Sequence, residues 1–347
     1  MGTFMKGAPL SKADIAAEGT PFILYGELYT TYSEVAYEIQ RKTDKEVEPQ
    51  FYSRIGDVIM PTSGETPEDI ATATCVMTPN VILAGDLLIY RTTAVDGRII
   101  SYAIKNKVNK QIASVAQGKS VVHVRAEELG KVIINYPTKA EQEKIITMLA
   151  LLEQRLVLQK RIIETLKKYK RGLLSTIFSK VTTFVHLKDI CEYASSAKTM
   201  SQIDNTPKGA YPVYDAGGVA AFVDFYDMDT NYIAIIKDGS GVGRLQFCQA
   251  ESSFIGTLGG LIPKNCSAFY LYTALQTIDF KEYVTGMAIP HIYYKDYKYA
   301  MLPYPCEKDR AKIQVIFQNL DCKITNAEML LEKFNEMKKS LLQQLFI

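Results

Sequence analysis

The sequence predicts an α+β protein in which two mixed α/β domains are separated by two long antiparallel coiled-coil helices, with an internal pseudo-two-fold repeat. Two observations lead to this prediction. An amphipathic stretch at residues 137–178 recurs at 305–346 without a gap, and short strand-like runs precede each copy. The predicted boundaries are 1–136 for the first domain, 137–180 for the central long helix, 181–304 for the second domain and 305–347 for the C-terminal long helix.

Each predicted long helix carries an apolar seam with residues three and four apart, which is typical of a coiled coil. Polar or small residues interrupt the first seam at Gln159 and Lys170 and the second at Ala327 and Lys338, positions that match under a shift of 168 residues. Shared seams and shared interruptions indicate an internal duplication. The seam positions are Ile145, Leu149, Leu152, Leu156, Ile163, Leu166, Leu173 and Ile177, then Ile313, Phe317, Leu320, Ile324, Leu331, Phe334, Leu341 and Leu345.

The duplication extends upstream of the helices. Residues 118–178 and 286–346 share 12 identities over 61 ungapped positions, and His123 pairs with His291. Because one histidine falls at the same place in each copy, a shared structural turn is favoured over a pair of catalytic bases. No nucleophile or carboxylate recurs beside both histidines, as a catalytic pair would require.

Both domains show short β-like runs between turn residues. Predicted strands in the first domain are 22–25, 57–60, 86–90, 99–104, 121–124 and 132–136, and 105–117 is predicted as a helix. Predicted strands in the second domain are 210–214, 232–236, 254–255, 258–263 and 300–304, and 267–284 is predicted as helical.

Composition limits the possible classes of protein. The formal net charge is +2, and residues 137–180 concentrate the positive charge, with ten Lys and Arg against four Asp and Glu. This distribution is not that of a stand-alone, charge-driven DNA binder. Six cysteines without a CxxC pair and three histidines disfavour a zinc site and suit a reducing, cytoplasmic setting. Apolar runs are much shorter than the roughly 18 residues of a membrane span, so no membrane association is expected.

Catalytic motifs are incomplete or missing in the sequence. An adenine methyltransferase needs an Asn/Asp-Pro-Pro-aromatic loop, which does not occur here. A phosphate-binding loop would need a glycine where Ala113 stands, ahead of Gly118, Lys119 and Ser120. The glycine-rich bend at 239–243 is followed by Arg244 instead of the last glycine of a dinucleotide fingerprint. The sequence therefore predicts no catalytic, cofactor or metal site on this chain, and an enzyme with an unrecognised site is the weakest alternative.

Several segments resemble the specificity (S, HsdS) subunits of type I restriction–modification systems, and the resemblance covers essentially the whole chain. Its carriers are the helix entry at 137–145 (PTKAEQEKI) and the helix exit at 164–174 (ETLKKYKRGLL), repeated at 332–342 (EKFNEMKKSLL). Residues 120–123 (SVVH) and 289–292 (IPHI) look like the motif that closes a target recognition domain. Residues 25–32 (YGELYTTY) look like a segment common in one group of first recognition domains.

The resemblance implies two target recognition domains, each reading one half of a bipartite site in double-stranded DNA. It implies that the helices set the spacer length and dock two copies of a modification (methyltransferase) subunit, joined by restriction/translocase subunits. S-adenosylmethionine, ATP and magnesium are then expected on the partner subunits and no cofactor on this chain. The second domain opens with residues 185–190 (VHLKDI), whereas an equivalent opening strand is not evident in the first domain. In this respect the first domain departs from the family.

Two loops are candidates for DNA contact. Residues 238–244 (DGSGVGR) combine small residues, which let a backbone approach a groove, with cations that reach phosphate or guanine edges. Residues 61–66 (PTSGET) are interpreted as the equivalent loop, and an ordinary solvent-exposed loop is the alternative for both. The candidate contact residues are Lys6, Tyr25, Tyr29, Thr30, Thr31, Thr62, Ser63, Arg91, Thr92, Lys105, Lys107, Lys110, Lys198, Tyr211, Tyr214, Lys237, Ser240 and Arg244.

A second function remains open from the sequence. The chain could be a coiled-coil adaptor, or a truncated specificity subunit without its own DNA recognition. A packing or surface role is also the alternative for each candidate contact residue taken singly, since the 22 tyrosines of the chain suit strand packing.

Overall fold

The computed structural model describes residues 2–116, 122–286 and 289–346. It contains two compact units, which are described separately. Unit 1 comprises Met1–Gln159 with Leu330–Ile347, and unit 2 comprises Lys160–Met329. Each long helix contributes one segment to each unit.

Unit 1 contains a five-stranded sheet in the order β1-β9-β5-β7-β3, a three-stranded sheet β4-β2-β8 and the pair β10-β6. Its strands are β1 (Gly2–Lys6), β2 (Thr20–Leu24), β3 (Val35–Ala36), β4 (Lys42–Thr43), β5 (Asp57–Pro61), β6 (Ser63–Gly64), β7 (Thr74–Val76), β8 (Ile82–Ala84), β9 (Leu87–Thr92) and β10 (Val122–His123). Its helices are α1 (Glu27–Thr30), α2 (Pro67–Ile70), α3 (Gly97–Ala103), α4 (Asn109–Val115) and α5 (Ala126–Leu129), with 3-10 turns at Lys12–Asp14 and Pro49–Phe51 and a π-helical turn at Ile104–Val108.

Unit 2 contains a four-stranded sheet β12-β18-β15-β16, a three-stranded sheet β14-β13-β17 and the pair β11-β19. Its strands are β11 (Phe184–His186), β12 (Cys191–Ser195), β13 (Lys208–Asp215), β14 (Gly218–Val223), β15 (Tyr232–Ile236), β16 (Leu245–Cys248), β17 (Ser253–Phe254), β18 (Leu258–Pro263) and β19 (Met301–Pro303). The two long helices are α6 (Lys139–Phe178) and α11 (Glu307–Leu345), and the short ones are α7 (Leu187–Ile190), α8 (Met200–Asp204), α9 (Ala268–Leu275) and α10 (Tyr294–Tyr297), with a 3-10 turn at Phe280–Tyr283.

Four of the five strands in the main sheet of unit 1 have the same order as the four strands in the main sheet of unit 2, and β3 is the additional strand. In unit 1, β5 lies between β9 and β7, and β1 pairs with β9; in unit 2, β15 lies between β18 and β16, and β12 pairs with β18. These pairings are all antiparallel. The central strands β5 and β15 are buried at every residue, which explains why they read as continuous runs of largely apolar residues.

The long helices pack antiparallel within each unit. In unit 1 the beginning of α6 meets the end of α11, with Ile146 and Leu149 in one core cluster with Leu342 and Phe346. In unit 2 the end of α6 meets the beginning of α11, where Phe178 shares a core cluster with Ile313 and Phe317.

Some predicted elements are wrong. The stretch 99–104 forms α3 and the first residue of a π-helical turn, not a strand, because the Asp96 carboxylate caps the helix by accepting from the Arg98 amide at 2.9 Å. Residues 132–136 form no strand, whereas their repeat counterpart β19 does so by pairing with β11. The predicted helix at 267–284 is broken into α9 and a 3-10 turn.

Other predictions at the sequence level are confirmed. Strands form at Tyr232–Ile236 and Leu258–Pro263 with the predicted bounds, and the long helices begin and end within two residues of those predicted. Residues 104–115 are helical, as predicted for most of 105–117. Gly118, Lys119 and Ser120, which were compared with a phosphate-binding loop, lie outside the described residues.

Candidate nucleic-acid interface

A broad groove with a volume of about 1680 Å³ opens on unit 1. Its walls come from β1 and the turn that follows, from the loop between β2 and α1, and from the segment around β10 and α5. Four cations line it together with four carboxylates, namely Lys6, Lys12, Arg41 and Arg125 with Glu27, Asp86, Glu127 and Glu128. Among the described residues, Lys6, Lys12 and Arg125 have no ion-pair partner, so their charges are available to an anion in the groove.

The loop between β2 and α1 is fixed from inside the groove. The Glu27 side chain is buried and accepts a hydrogen bond from the Leu24 amide at 3.1 Å, while its other oxygen lies 3.0 Å from Arg41 Nε. A buried carboxylate needs such partners, because desolvation of an unpaired charge is costly. Tyr25 on this loop and Thr30 at the end of α1 thereby sit at the groove wall.

Tyr29 connects α1 to the candidate loop at 61–66. Its hydroxyl donates to the Ser63 carbonyl at 3.2 Å, although 40% of the side chain is exposed. Burial, with a smaller contribution from Asp69, raises the pKa of Tyr29 to about 12. The phenol is therefore protonated at neutral pH and remains a donor. Its partner Ser63 is itself buried, so it presents no side chain to solvent.

The loop at 61–66 is held by main-chain pairing on both sides. The Thr62 amide donates to the Asp86 carbonyl at 2.8 Å, and the Val124 amide donates to the Thr62 carbonyl at 3.2 Å. Ser63 pairs with His123 in the β6–β10 ladder. Thr62 lines the groove, so this loop forms part of its wall.

The glycine-rich bend of unit 2 is the hairpin loop between β15 and β16. Gly239 and Gly243 have φ of +91° and +82°, conformations that side chains rarely adopt. The Gly239 amide donates to the Pro290 carbonyl at 2.9 Å, and Asp238 forms a β-bridge with His291. Ser240 at the tip is exposed. The predicted equivalence of the two loops is supported by this pairing, because His123 and His291 each bridge the loop that follows the central strand.

Arg244 closes the base of this hairpin. Its guanidinium lies against Gly241, where an added Cβ would come within 2.8 Å of Nη2, and Nη2 donates to the Ala216 carbonyl at 3.0 Å. Arg244 is nevertheless exposed, so a ligand could reach its guanidinium. Lys237, at the end of β15, is half-buried, and its main chain bonds Thr257 and Ile292.

The structure places several candidate contact residues in packing roles. Arg91 Nε lies 3.2 Å from a buried Asp57 oxygen, and its Nη2 donates to the Gln50 and Tyr52 carbonyls. Thr92 donates to the Val95 carbonyl at 2.7 Å. Tyr214 is buried in a core cluster, where desolvation raises its pKa. These three side chains are engaged within their own units.

The remaining candidates lie at the surface or near it. Lys198 is paired with Asp227 and lies over the Phe225 ring. The ring of Tyr211 packs edge-on against Tyr226 with centroids 4.8 Å apart. Thr31 and Lys110 are exposed, Lys107 is half-buried, and Lys105 Nζ lies 3.9 Å from Glu34.

Sequence reasoning missed three of the groove cations. Lys12 belongs to a 3-10 turn capped by Ser11, Arg41 is positioned by Glu27 from 14 residues earlier, and Arg125 follows β10 by two residues. Only Arg125 carried a usable signal, because it lies two residues after His123, the histidine that recurs in both copies. The other two depend on folding of the loop.

No group of three or more His, Cys, Asp or Glu side chains that could hold a metal occurs in the described part of the chain. Burial raises the pKa of the Cys191 and Cys248 thiols to about 12 and that of Cys266 to about 11. These thiols are protonated at neutral pH and are weak nucleophiles. Among the helices described, none is long and apolar enough to span a membrane.

Comparison with known proteins identifies a family for the second half of the chain. Residues 180–334 match the family model of the type I restriction modification DNA specificity domain. A curated relative, the type I restriction enzyme MjaVIII specificity subunit of Methanocaldococcus jannaschii, is 26% identical over 175 residues, which are 47% of this chain. The match spans 41% of that relative's length. The resemblance drawn from the sequence is confirmed.

Solved structures share the fold. The type I restriction–modification S subunit from M. genitalium superposes with a TM-score of 0.70 at 19% identity, covering 100% of this chain and 94% of that chain. A chain from a structure of complex assembly and conformational transition of the type I R-M system gives a TM-score of 0.51 at 16% identity, covering 88% and 83%.

Proposed function

Since residues 180–334 belong to the family of type I restriction modification DNA specificity domains, we propose that the chain is the DNA-recognition subunit of a type I restriction–modification complex. Each recognition domain reads one half of a bipartite site in double-stranded DNA. The chain supplies recognition, and the chemistry resides in its partners. The observation that carries the proposal is the pair of equivalent loops, at 61–66 and 238–244, each anchored by the repeat-related histidine segment.

The groove of unit 1 carries as many carboxylates as cations, so contact with a DNA backbone would depend on those of its cations that have no ion-pair partner. Three cations without ion-pair partners among the described residues, Lys6, Lys12 and Arg125, line this cavity of about 1680 Å³ and could contact phosphates. Hydroxyls of Tyr25, Thr30 and Thr62 add neutral hydrogen-bonding groups of the kind that contact phosphates and base edges.

Unit 2 offers a different surface for the second half-site. Its hairpin loop presents Ser240 and Arg244 on a backbone that three glycines keep free of bulk. Arginine is the side chain best suited to bidentate contact with guanine in the major groove. The loops at 61–66 and 238–244 differ in sequence although the strands that carry them have equivalent places in the two sheets. This difference is consistent with a DNA site whose two halves differ in sequence.

The long helices are proposed to set the spacer between half-sites. A continuous helix such as α6, with 40 residues, is about 60 Å long at 1.5 Å per residue. The target recognition domains are then the two domains at 1–136 and 181–304. Two domains held a fixed distance apart would read two half-sites with a fixed spacing.

The same helices are proposed to dock two modification subunits. In unit 1 the outer faces of α6 and α11 form an apolar depression of about 1170 Å³ that includes Met148, Leu151 and Met337. Leu151 is 58% exposed, and contiguous exposed apolar patches are uncommon on a free protein surface. In unit 2, Val315 and Ile316 are exposed at the positions that repeat Thr147 and Met148. The apolar surface recurs in part, at Met148 and Ile316, whereas Asn319 stands at the position that repeats Leu151, and we propose one partner copy for each of the two surfaces.

S-adenosylmethionine, ATP and magnesium are assigned to the partner subunits, as are adenine methylation and the translocation and cleavage performed with restriction subunits. Weak DNA binding is expected from the chain alone, because its formal net charge is only +2. A cytoplasmic location follows from this role.

Co-expression with the modification subunit, followed by genome-wide methylation mapping, tests the proposal. One bipartite N6-adenine motif with a fixed spacer should appear. Exchanging residues 1–117 for another first domain should change one half-site only. Modification of no adenine, or a change in both half-sites, contradicts the proposal, and an adaptor without DNA recognition would then be the better assignment.

A further inference from the structure

A cleft in unit 2 has an aromatic floor. The cleft has a volume of about 790 Å³ and is bordered by β16, α9 and one face of α11. The rings of Phe247, Phe269 and Tyr272 form its floor, and their centroids lie 5.7 to 6.0 Å from one another. All three side chains are half-buried, so each ring keeps part of its surface open to the cleft. Aromatic rings grouped in a concave surface are typical of sites that bind another molecule.

The lining of this cleft is acidic. It includes one positive and three negative side chains, a net charge of −2, namely Lys170 with Asp229, Glu251 and Asp321. Lys170 and Asp321 form an ion pair. Among the described residues, the exposed carboxylates of Asp229 and Glu251 have neither an ion-pair nor a hydrogen-bond partner. Two carboxylates are therefore available to a cation, and the cleft would repel a phosphate.

The loop that carries Glu251 is fixed at the rim of the cleft. The Ala250 amide donates to the Asn231 side-chain oxygen at 2.8 Å, and Ser252 Oγ donates to the Gln249 carbonyl at 2.6 Å. Glu251 itself has a φ of +54°, which side chains rarely adopt outside tight turns. The backbone of Glu251 is thus positioned before a ligand arrives, which lowers the entropic cost of binding.

A cation of the chain itself already contacts the aromatic floor. Lys170 Nζ lies 5.7 Å from the centroid of the Tyr272 ring, within the range of a cation–π contact, while it pairs with Asp321. Phe247 and Phe269 line the same cleft as the two carboxylates without partners, so rings and carboxylates remain for a second cation. Arginine suits both groups, because its planar guanidinium stacks on rings and forms two hydrogen bonds with a carboxylate.

We propose that this cleft docks a basic segment of a partner polypeptide and takes an arginine of that segment over the aromatic floor. The guanidinium would lie against the rings and pair with Asp229 or Glu251. A polypeptide is favoured because α11 borders the cleft from Gln318 to Thr325, a length of about 10 Å at 1.5 Å per residue, which matches about three residues of an extended chain. The interaction does not depend on DNA recognition, since its surface carries the opposite charge.

A labelled peptide of sequence Gly-Ser-Arg-Leu-Arg-Ser-Gly serves as the probe, and its matched control has citrulline in place of both arginines. Fluorescence anisotropy at low ionic strength should show saturable binding of one arginine peptide to each full chain. The citrulline peptide should bind about tenfold more weakly or worse, because citrulline keeps the shape of arginine but lacks the charge that the carboxylates require.

Two double variants of the protein provide the matched test. Asp229→Asn combined with Glu251→Gln removes both unpaired carboxylates from the cleft at nearly constant volume, and the arginine peptide should then bind about fivefold more weakly or worse. Asp204→Asn combined with Asp224→Asn removes the same charge from exposed positions of unit 2 that do not line the cleft, and should leave binding unchanged. Thermal melting of both double variants checks that unit 2 remains folded.

The possible results separate the alternatives. Weaker binding in the cleft variant, with retention in the control variant and discrimination against citrulline, supports the proposal. Absence of saturable binding, or an equal loss in both double variants, overturns it, since an equal loss would mean diffuse attraction to the net charge. Displacement of the probe by spermidine as effective as by unlabelled peptide would assign the cleft to a small organic cation instead. If the full chain sediments as a dimer that the cleft variant dissociates, a second copy covers the cleft and the partner assignment is wrong.

Discussion

Lys338 lies in the seam of α11 at the centre of a largely buried ionic network in unit 1. Its Nζ is 2.9 Å from Glu34 Oε2 and 3.1 Å from Glu153 Oε1. The side-chain exposures are 17% for Lys338, 13% for Glu34 and 19% for Glu153. The Tyr102 hydroxyl donates to Glu153 at 2.6 Å, which ties the network to α3. A lysine at a seam position is stable only because these carboxylates surround it.

Replacing Lys338 by Met keeps the volume of the side chain but leaves two carboxylates without their main partner. Breaking one side of a buried ion pair costs about 3–5 kcal/mol. Partial exposure and the remaining contacts, Tyr102 with Glu153 and Lys105 with Glu34, reduce this cost to about 2 kcal/mol by the same reasoning. For a unit of this size that corresponds to a fall in Tm of roughly 4–8 °C.

The pH dependence has a definite sign. Burial favours the neutral form of Glu34, but the charges of Lys338 and Lys105 and the hydrogen bond from Lys338 together outweigh it and hold the pKa of Glu34 below its usual 4.5. Burial also opposes the charged form of Lys338, yet Glu34 and Glu153 raise its pKa above 10.5. Stabilisation is therefore complete between those limits and is lost as pH falls through the Glu34 pKa or rises through the Lys338 pKa. The cost of Lys338→Met should be largest near neutral pH and should shrink in acid.

Thermal and urea denaturation at pH 7 and pH 4 measure both effects. Lys339→Met is the matched control, because Lys339 is the next residue and is exposed; its effect should be close to zero at both pH values. If Lys338→Met is as stable as the parent at pH 7, or if its deficit grows in acid, the network does not stabilise unit 1 in the way described.

Three further outcomes follow from the proposed roles. Arg125→Ala should weaken DNA binding of the assembled complex and lower the slope of log K against log salt by about 1 if it contacts a phosphate, whereas Lys42→Ala, an exposed cation not lining the groove, should change neither. Gly243→Ala should destabilise the hairpin by roughly 1–3 kcal/mol, since φ is +82° and the new Cβ would lie 2.9 Å from that of Phe280; differential scanning calorimetry and methylation of the second half-site report it. Leu151→Asp should reduce association with the modification subunit at least tenfold in a pull-down titration while leaving Tm within about 1 °C, because 58% of that side chain is exposed.

How far the sequence predicts the fold depends on how local the determining interactions are. The strand at Tyr232–Ile236 could be placed because its continuous apolar run is bounded by turn residues. The run at 99–104 could not be assigned from the sequence, since a short apolar run is equally compatible with a strand and with a buried helix. The cap at Asp96 favours the helix in the structure. The stretch 132–136 has strand character, but strand formation needs a partner that only the three-dimensional structure can supply.

The candidate site was predicted less completely for the same reason. The glycine-rich bend and Arg244 were visible as a local pattern, and both lie on a hairpin loop. Arg91 was chosen as a free cation, yet it is held by Asp57 from 34 residues away in the sequence. Arg41 and Lys12 join the groove through loop folding, which leaves no periodic signal. Ion pairs between residues distant in the sequence decide which cations remain available to a ligand. These ion pairs depend on strand register, which the sequence does not show directly.

The seam lysines of the two helices also fix helix register, and a charge exchange in unit 2 tests this. Lys170 pairs with Asp321, and Lys338 with Glu153, which are the same two positions related by the 168-residue repeat. Sliding one helix by a heptad in one direction would set Lys338 against Lys160, and in the other direction against Ile146.

Only the observed register gives both lysines a carboxylate, so we expect Lys170→Asp to destabilise unit 2 by about 2 kcal/mol or more through like-charge contact. Adding Asp321→Lys should restore most of that loss, although the contact between Lys170 and the Tyr272 ring, 5.7 Å from its centroid, would be missing. A double variant no more stable than Lys170→Asp, measured by urea denaturation, would mean that apolar packing alone sets the register and that the lysines are tolerated rather than selected for pairing.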